Sequence, residues 1–375
     1  MKAPSSRVIV DLDAYAANLA VVRGMIPPRC AIMAVVKANA YGHGAAPIAK
    51  RAVREGARML GVADVNEAVE LREAGLSIPI LVMVQPLEDA LPAIVEYGLH
   101  MMASSVEIAE RVGELARRAN KVAPVHCKID TGMGRQGFGL DQAVKDMMRI
   151  MRISHVDIEG VATHFPVADD SADLFTAQQI RQFKQLLNQL DKEGVPYETA
   201  HAANSAAIVN HPASSFDMVR PGLMTYGVWP TDVAPSILPV RPVLRWETRV
   251  TQIREIPRGA SVGYGRAYIA PRVMKAALLP VGYADGYLHS LSNRGVALIR
   301  GARCPVRGSV CMDQILVDVT DVAGAAIGDV ATLIGQDGDQ MITAAELARL
   351  AQTIPYEILA GIGSRAQRVY VGVKT

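Results

Sequence analysis

Apolar positions recur with two different periods between about residue 30 and residue 220. Short runs rich in apolar and β-branched residues alternate with longer stretches in which apolar positions recur every three or four residues. The short runs are typical of buried strands, and the longer stretches are typical of helices that pack along one face. Strands that alternate with helices predict βα units and a parallel sheet. The eight predicted strands are "AIMAVVK", "MLGVA", "PILVMV", "LHMMA", "PVHCKID", "IEGVATH", "ETAHAA" and "FDMVRPG".

The predicted helices have recognisable starts and buried faces. Asp64–Glu67 and Ser104–Glu107 have the pattern of capping boxes, in which side chains at a helix start accept hydrogen bonds from its exposed backbone N–H groups. No Gly-x-Gly-x-x-Gly motif follows the first predicted strand, as an open doubly wound sheet would usually require. Eight βα units therefore predict a closed (β/α)8 barrel of the TIM type. The helix after the sixth strand carries on one face Ile180, Phe183, Leu187 and Leu190.

The pattern changes after about Pro239. Short strands bounded by Gly, Pro and Asp predict a second, mostly-β domain. One helix is visible in it, because a capping box at Thr343–Glu346 precedes "AAELARLAQ". A chain of 375 residues is also longer than one ordinary core requires. We therefore divide the chain into a barrel domain of residues 1–240 and a β-rich domain of residues 241–375.

Composition excludes several classes of partner. The chain has 39 basic and 37 acidic residues and a net charge of +2, which argues against a nucleic-acid partner. No apolar run approaches the roughly 20 residues of a membrane helix, and the sequence begins without a secretory signal pattern. We expect a cytoplasmic protein that acts on a small molecule. We also expect buried free thiols and no metal site, because no CxxC pair occurs among Cys30, Cys127, Cys304 and Cys311.

Polar residues stand at the carboxyl ends of the predicted barrel strands. In a βα barrel the loops at these ends build the active site. A single polar residue there often satisfies only a loop carbonyl, but several around one rim indicate a binding site. The residues concerned are Lys37, Asp130, His164, Asn204, Ser205 and Arg220.

The fifth predicted strand directs charge into the barrel. His126, Lys128 and Asp130 alternate with apolar residues, so the three polar side chains share the face that points away from the helices. A buried ammonium is costly unless it is paired, neutralised or modified. An ion pair between Lys128 and Asp130 is one solution. The following loop, "DTGMGRQG", brings Arg135 close enough to fold over the same mouth.

Lys37 directly follows an apolar strand. Burial at a barrel mouth lowers the pKa of an amine, and the free amine can then attack an aldehyde. A Schiff base with pyridoxal phosphate is the natural candidate. Such a cofactor also needs a phosphate site, which Ser205 at a helix start and the backbone amides of Gly222 and Leu223 can provide.

The following motifs occur in this order along nearly the whole chain: "VVKANAYGHG", "KIDTGMGRQGF", "GVATHF", "ANSAA", "VRPGLMTYG", "VGYGRAY", "PVGYADGY", "GSVCMDQ" and "PYEI". They resemble those of the alanine racemases, which are pyridoxal-phosphate enzymes with a barrel of this type. The resemblance implies a homodimer that interconverts L-alanine and D-alanine, supplying D-alanine for peptidoglycan or degrading it.

The resemblance also implies roles for individual residues. Lys37 would hold the cofactor as a Schiff base and act as the base on one face of the substrate, while Tyr264 of the partner subunit would act on the other face. Arg135 and the Met312 backbone would contact the substrate carboxylate. Lys128 resembles a lysine that the family often carries as a carbamate. The cofactor-binding residues would be Lys37, Tyr41, His164, Ser205, Arg220, Gly222, Leu223 and Tyr356.

Other functions are compatible with part of this pattern. A decarboxylase or a racemase of broader specificity could share the two-domain plan, but we expect an acidic residue near the pyridine nitrogen of a decarboxylase, and Arg220 argues against it. A non-catalytic protein that holds pyridoxal phosphate could share the barrel and Lys37, but it would lack the second domain with Tyr264.

Overall fold

The computed structural model describes residues 6–229 and 239–372. The chain first forms strand β1 (Ser6–Asp11) and helix α1 (Leu12–Met25). A nine-stranded parallel sheet follows. Its strands are β2 (Ala31–Val35), β3 (Met59–Val62), β4 (Ile80–Val82), β5 (His100–Ala103), β6 (Ala123–Asp130), β7 (Phe138–Gly139), β8 (Val156–Ala162), β9 (Thr199–His201) and β10 (Met218–Val219).

Eight of these strands close into a barrel. Neighbouring strands pair in the order β5, β4, β3, β2, β10, β9, β8 and β6, and β6 pairs in turn with β5. The short strand β7 pairs only with β6, outside the ring. The closed eight-stranded barrel that the sequence predicts is therefore confirmed.

Helices connect the barrel strands. Asp64 caps its helix as predicted, but the prediction for Ser104 is wrong by one residue. Ser105 is the cap because the helix begins at Val106: its backbone is extended, with φ of −149° and ψ of 158°, and its side chain accepts from the Ile108 N–H. The helices are α2 (Lys37–Tyr41), α3 (Ala45–Arg54), α4 (Val65–Glu73), α5 (Leu91–Glu96), α6 (Val106–Arg118), α7 (Ala143–Ile150), α8 (Phe175–Lys192) and α9 (Ser205–Asn210).

The barrel interior is apolar on one side and polar on the other. Successive side chains of a strand point to opposite faces, and those facing the helices join the main hydrophobic core. Strands β6 and β9 instead direct His126, Lys128 and His201 inward, and all three are buried. The separate apolar cluster, with one residue from each of six strands, consists of Met33, Met59, Leu81, Met102, Ala162 and Met218.

The second domain is mostly β, as predicted. Its helices are α10 (Ala344–Ala351), capped by Thr343, and α11 (Pro355–Ala360). Its strands are β11 (Leu244–Arg249), β12 (Gln252–Ile256), β13 (Ser261–Val262), β14 (Tyr268–Ile269), β15 (Met274–Leu279), β16 (Val296–Ile299), β17 (Ala302–Pro305), β18 (Ile315–Asp318), β19 (Val330–Asp337), β20 (Gln340–Ile342) and β21 (Gln367–Val371).

Strand β1 lies in the sheet of the second domain. It pairs antiparallel with β11 and parallel with β21, in the sheet order β17, β16, β19, β11, β1 and β21, with β20 beside β19. Strands β12, β15 and β18 form a separate sheet, and β13 pairs with β14. Residues 6–11 thus join the two parts of the chain, a connection that the division at residue 240 did not predict.

Candidate active site

Lys37 stands at the start of an unusual backbone turn. It begins α2 directly after β2, and the next four residues, 38–41, have positive φ values of 51° to 54° although none is glycine. This conformation costs about 1–2 kcal/mol per residue. Such a run is maintained only where its surroundings enforce it, and it is typical of functional sites. The turn carries the backbone away from the strand axis immediately after the lysine.

The pKa of the Lys37 amine lies below its usual value. Burial is the main cause, and the nearby cations Arg135 and Arg220 add to it, whereas Glu67 acts in the opposite direction. Both burial and a nearby cation disfavour the protonated, positively charged form of an amine. The structure therefore produces an amine that loses its proton more readily than an exposed lysine.

Arg220 is buried at the end of β10, below the mouth of the barrel. Its guanidinium donates to the carbonyl oxygens of Thr163 and Ala202 at 2.8 and 2.9 Å, and to the Nδ1 atoms of His201 and His164 at 2.8 and 3.1 Å. Burial lowers the Arg220 pKa to about 10, so it remains a cation at neutral pH. The pKa of His164 is well below its usual value because of burial and the neighbouring cations, of which Arg220 acts most strongly.

A row of three histidines extends from Arg220 down the barrel. His201 Nε2 lies 2.9 Å from His126 Nδ1, and His126 Nε2 lies 3.2 Å from His100 Nδ1. A guanidinium can only donate, so each imidazole accepts at Nδ1 and donates from Nε2. This order of donors and acceptors requires that the imidazole rings be neutral. Burial accordingly lowers the pKa of His126 to about 3 and that of His100 to about 4.

Most of this histidine row was not predicted from the sequence. The alternation along β6 predicts that His126 points inward, but it does not predict a partner. His201 lies in the centre of the short predicted strand "ETAHAA". A histidine within a barrel strand was the signal that could have indicated a partner for His126. His100 is the first residue of β5, and nothing in its local pattern indicates that it belongs to the site.

Lys128 is 3% exposed and donates to the backbone carbonyl of Ile129 at 2.9 Å. Burial, with a contribution from Arg220, lowers its pKa to about 7. The Asp130 carboxylate accepts instead from the N–H groups of the next loop, residues 132–134. Within residues 6–229 and 239–372, no ion pair joins Lys128 to Asp130. The alternative of an ion pair between Lys128 and Asp130 is therefore not adopted, because the Asp130 carboxylate is bonded to the backbone N–H groups of the loop.

A cup of hydroxyl and amide groups lies beside the mouth. The Gly222 N–H donates to Ser205 Oγ at 2.9 Å, and Leu223 is the buried first residue of the short 3-10 segment that follows. A Cβ atom on Gly222 would lie 2.5 Å from the Tyr41 hydroxyl. The Tyr41 and Tyr356 rings are 6.0 Å apart. Hydroxyl and backbone N–H donors around a glycine suit a phosphate group.

Two predicted site residues lie elsewhere, on the surface of the second domain. Tyr264 is 78% exposed and Met312 is 54% exposed. The Tyr264 carbonyl accepts from Ser309, and the Met312 carbonyl accepts from the Ala284 N–H, so both bonds remain within that domain. In the described part of the chain, neither residue is bonded to the barrel residues of the same protomer.

Family models match both parts of the chain. The alanine racemase N-terminal domain matches residues 10–230, and the alanine racemase C-terminal domain matches residues 243–370.

The chain belongs to the alanine racemase family.

Curated relatives match over nearly their full length. An alanine racemase of Halothermothrix orenii is 43% identical over 96% of this chain and 95% of the relative. One of Symbiobacterium thermophilum is also 43% identical, over 97% of this chain and 96% of the relative. The chain is therefore similar to these enzymes through both domains.

Solved structures of the alanine racemase family have the same fold. An alanine racemase of Clostridium difficile 630 has a TM-score of 0.95 at 33% identity and covers 99% of this chain and 96% of its own. One of Bartonella henselae "with covalently bound pyridoxal phosphate" has a TM-score of 0.88 at 30% identity and covers 99% of this chain and 100% of its own.

The residues that the alanine racemase resemblance singles out fall into two groups. The barrel brings together the lysines, arginines and histidine whose charges act on one another, as well as the cup around Gly222, to which α11 of the second domain adds Tyr356. Tyr264 and Met312 form the second group. Within residues 6–229 and 239–372, no cluster of three or more His, Cys, Asp or Glu could bind a metal ion, and no helix is long and apolar enough to cross a membrane.

Proposed function

We propose that this protein is a pyridoxal-phosphate-dependent alanine racemase that interconverts L-alanine and D-alanine with two acid/base groups. The observation that carries the proposal is the Lys37 amine, whose pKa is lowered at the barrel mouth by burial and by Arg135 and Arg220. The full-length similarity to alanine racemases supports the same reaction. In the cell, we expect it to act in the cytoplasm and to supply or degrade D-alanine.

The donor set at the mouth fits pyridoxal phosphate. Lys37 would hold the cofactor covalently, and Arg220, with His164 beside it, would face the pyridine nitrogen. The bound cofactor withdraws electrons from the substrate α-carbon and makes its proton acidic. The covalently bound pyridoxal phosphate of the Bartonella henselae structure supports this assignment. The residues that would hold the phosphate are Tyr41, Ser205, Gly222, Leu223 and Tyr356.

Lys37 would exchange the α-proton on one face of the substrate. A base must be neutral to accept a proton, and the lowered pKa increases the neutral fraction of the amine near neutral pH. The turn at residues 38–41 holds the lysine backbone in place, so the amine does not need to be ordered again in each cycle.

Tyr264 of the partner subunit would act on the opposite face. Racemisation removes a proton from one side of the α-carbon and returns it to the other, so two groups that flank the substrate are the simplest design. Tyr264 is a largely exposed aromatic residue that makes no bond to the described residues of its own barrel, as expected of a residue that completes a neighbouring site. The protein would therefore function as a homodimer.

Arg135 and the Met312 backbone would bind the substrate carboxylate. Lys128 would support Arg135 after reacting with carbon dioxide: the amine nitrogen bonds to the carbon, and one proton passes to water. The Lys128 pKa of about 7 supports this step because the reaction requires the neutral amine. The product is an anion that can accept a charge-assisted hydrogen bond from a guanidinium.

Arg220 would limit side reactions. A cation that faces the pyridine nitrogen disfavours its protonation and so restrains the build-up of negative charge on the substrate. Backbone carbonyls and neutral histidines accept the hydrogen bonds that we describe for Arg220, and none of these acceptors is a carboxylate. This environment also argues against the decarboxylase alternative.

The decisive experiment combines cofactor spectroscopy with isotope exchange. The purified protein should show the visible absorption of lysine-bound pyridoxal phosphate, and Lys37→Ala should lose it. In heavy water, either alanine enantiomer should yield racemic, α-deuterated alanine. Release of carbon dioxide would support a decarboxylase, and absence of both reactions with the cofactor bound would support a non-catalytic protein.

A further inference from the structure

Glu67 contacts the turn behind Lys37 as well as its own helix. It lies in the first turn of α4, where its Oε2 atom accepts from the N–H groups of Ala63 and Asp64 at 2.9 and 3.4 Å. This is the capping box predicted from the sequence. The second oxygen, Oε1, accepts from the Ala38 N–H at 2.6 Å. Ala38 directly follows Lys37, so a motif that ordinarily stabilises one helix end also reaches the lysine turn.

The left-handed turn needs such a partner. Each residue with positive φ costs conformational energy, and the first N–H groups of any helical turn have no acceptor within the turn. The turn bonds the Gly42 N–H to the Ala38 carbonyl at 3.0 Å, and Asn39 accepts from the Ala45 N–H at 2.8 Å. Glu67 completes this set at the end nearest Lys37. A carboxylate acceptor makes the bond stronger than a neutral group would.

The charge of Glu67 also acts on the amine. Arg135, from the loop after β6, and Arg220, from the end of β10, both disfavour the protonated form of Lys37. Lys37 and Lys128 of β6 in turn both act on His164, in the loop after β8, and disfavour its protonated form. Among the charged groups that act on Lys37 in the described part of the chain, Glu67 is the one that favours the ammonium.

We propose that Glu67 is a positioning residue for Lys37, one whose carboxylate bonds the Ala38 N–H and so fixes the backbone turn behind the lysine. The proposal rests on the function proposed above, because it assigns Lys37 as the cofactor-binding lysine. The capping box thus couples the start of α4 to the reactive amine. Removal of the carboxylate charge should lower the Lys37 pKa further, since only the cations and burial would remain.

The test measures the pH at which Lys37 attaches the cofactor. Full-length apoprotein is mixed with pyridoxal phosphate at a series of pH values, and the rate at which the lysine-bound absorption appears is recorded. Attachment needs the neutral amine, so the midpoint reports the Lys37 pKa. Glu67→Gln should lower this midpoint, because burial and the cations Arg135 and Arg220 would then act on the amine without an opposing charge. Asp64→Ala is the matched control, because it removes the cap of the same helix without a contact to Ala38.

A second measurement follows the turn without the cofactor. In Glu67→Ala, hydrogen exchange of the peptide that contains Ala38 should accelerate about tenfold, whereas Asp64→Ala should leave it unchanged. An unshifted midpoint in Glu67→Gln, or an equal shift in Asp64→Ala, would overturn the proposal. Wild-type protein that does not attach pyridoxal phosphate would instead overturn the proposed function, while the exchange experiment would still decide whether Glu67 holds the turn.

Discussion

Gly222→Ala should weaken the binding of pyridoxal phosphate. The added Cβ would lie 2.5 Å from the Tyr41 hydroxyl and 3.1 Å from the carbon that bears it. An ordinary contact needs about 3.5 Å, so the hydroxyl must move by about 1 Å. It has little room, because the Tyr41 side chain is buried and its ring lies 4.8 Å from the Tyr226 ring. The phosphate would lose the hydroxyl that we propose as one of its donors.

The expected loss follows from the strength of that bond. A hydrogen bond to a charged group contributes about 1.5–3 kcal/mol, which corresponds to about 10- to 100-fold in affinity. Titration of the apoprotein with pyridoxal phosphate, followed by visible absorption, measures the dissociation constant. Gly24→Ala provides a matched control, because Gly24 lies in α1 with no atom near its added Cβ.

A second substitution tests whether Gly222→Ala weakens cofactor binding by displacing the Tyr41 hydroxyl. Tyr41→Phe removes the hydroxyl itself and should cause a similar loss. Gly222→Ala should then cost much less in the Tyr41→Phe background, since two substitutions that remove one contact are not additive. Wild-type affinity in Gly222→Ala, or additive losses in the double variant, would refute the assignment of Tyr41 to the phosphate.

Three further outcomes test other residues. Tyr264→Phe should slow α-proton removal from one alanine enantiomer more than from the other, measured as deuterium exchange at early times; an equal loss for both enantiomers contradicts the two-face assignment. Arg220→Glu should increase transamination products, and an unchanged product mixture by chromatography contradicts the role of the cation. With carbon-13-labelled bicarbonate, the wild type should give a carbamate NMR signal that Lys128→Met lacks. Because the neutral amine is needed, that signal should decline as the pH falls below about 7; a signal independent of Lys128 excludes this residue.

Local patterns in the sequence were sufficient to predict most of the elements. Strand and helix periods depend on near neighbours along the chain, so the position of each of the eight barrel strands and the buried face of α8 could be predicted, although several strands are shorter than the predicted segments. The same holds for the polar strand ends, because parallel strands in a closed barrel all end at one rim. The error at Ser104 is one of boundary, because the helix begins at Val106 and the residue before it, Ser105, is the cap.

Contacts between distant segments could not be predicted in this way. The sequence left open an ion pair between Lys128 and Asp130, and the structure decides against it in the described part of the chain, because the loop backbone bonds Asp130. The histidine row depends on β5, β6 and β9 meeting inside the barrel, and His100 has no local signal for that position. Strand β1 reaches the second sheet only through pairing with strands more than 230 residues away.

The motif that contains Lys37 illustrates both levels. The sequence by itself determined that a lysine follows a buried strand at the barrel mouth, because an apolar run and its end are local features. Only the tertiary structure decided that four non-glycine residues after it adopt positive φ, and that the Glu67 carboxylate bonds the first of them. That conformation is unfavourable locally and exists because bonds from distant elements compensate for it.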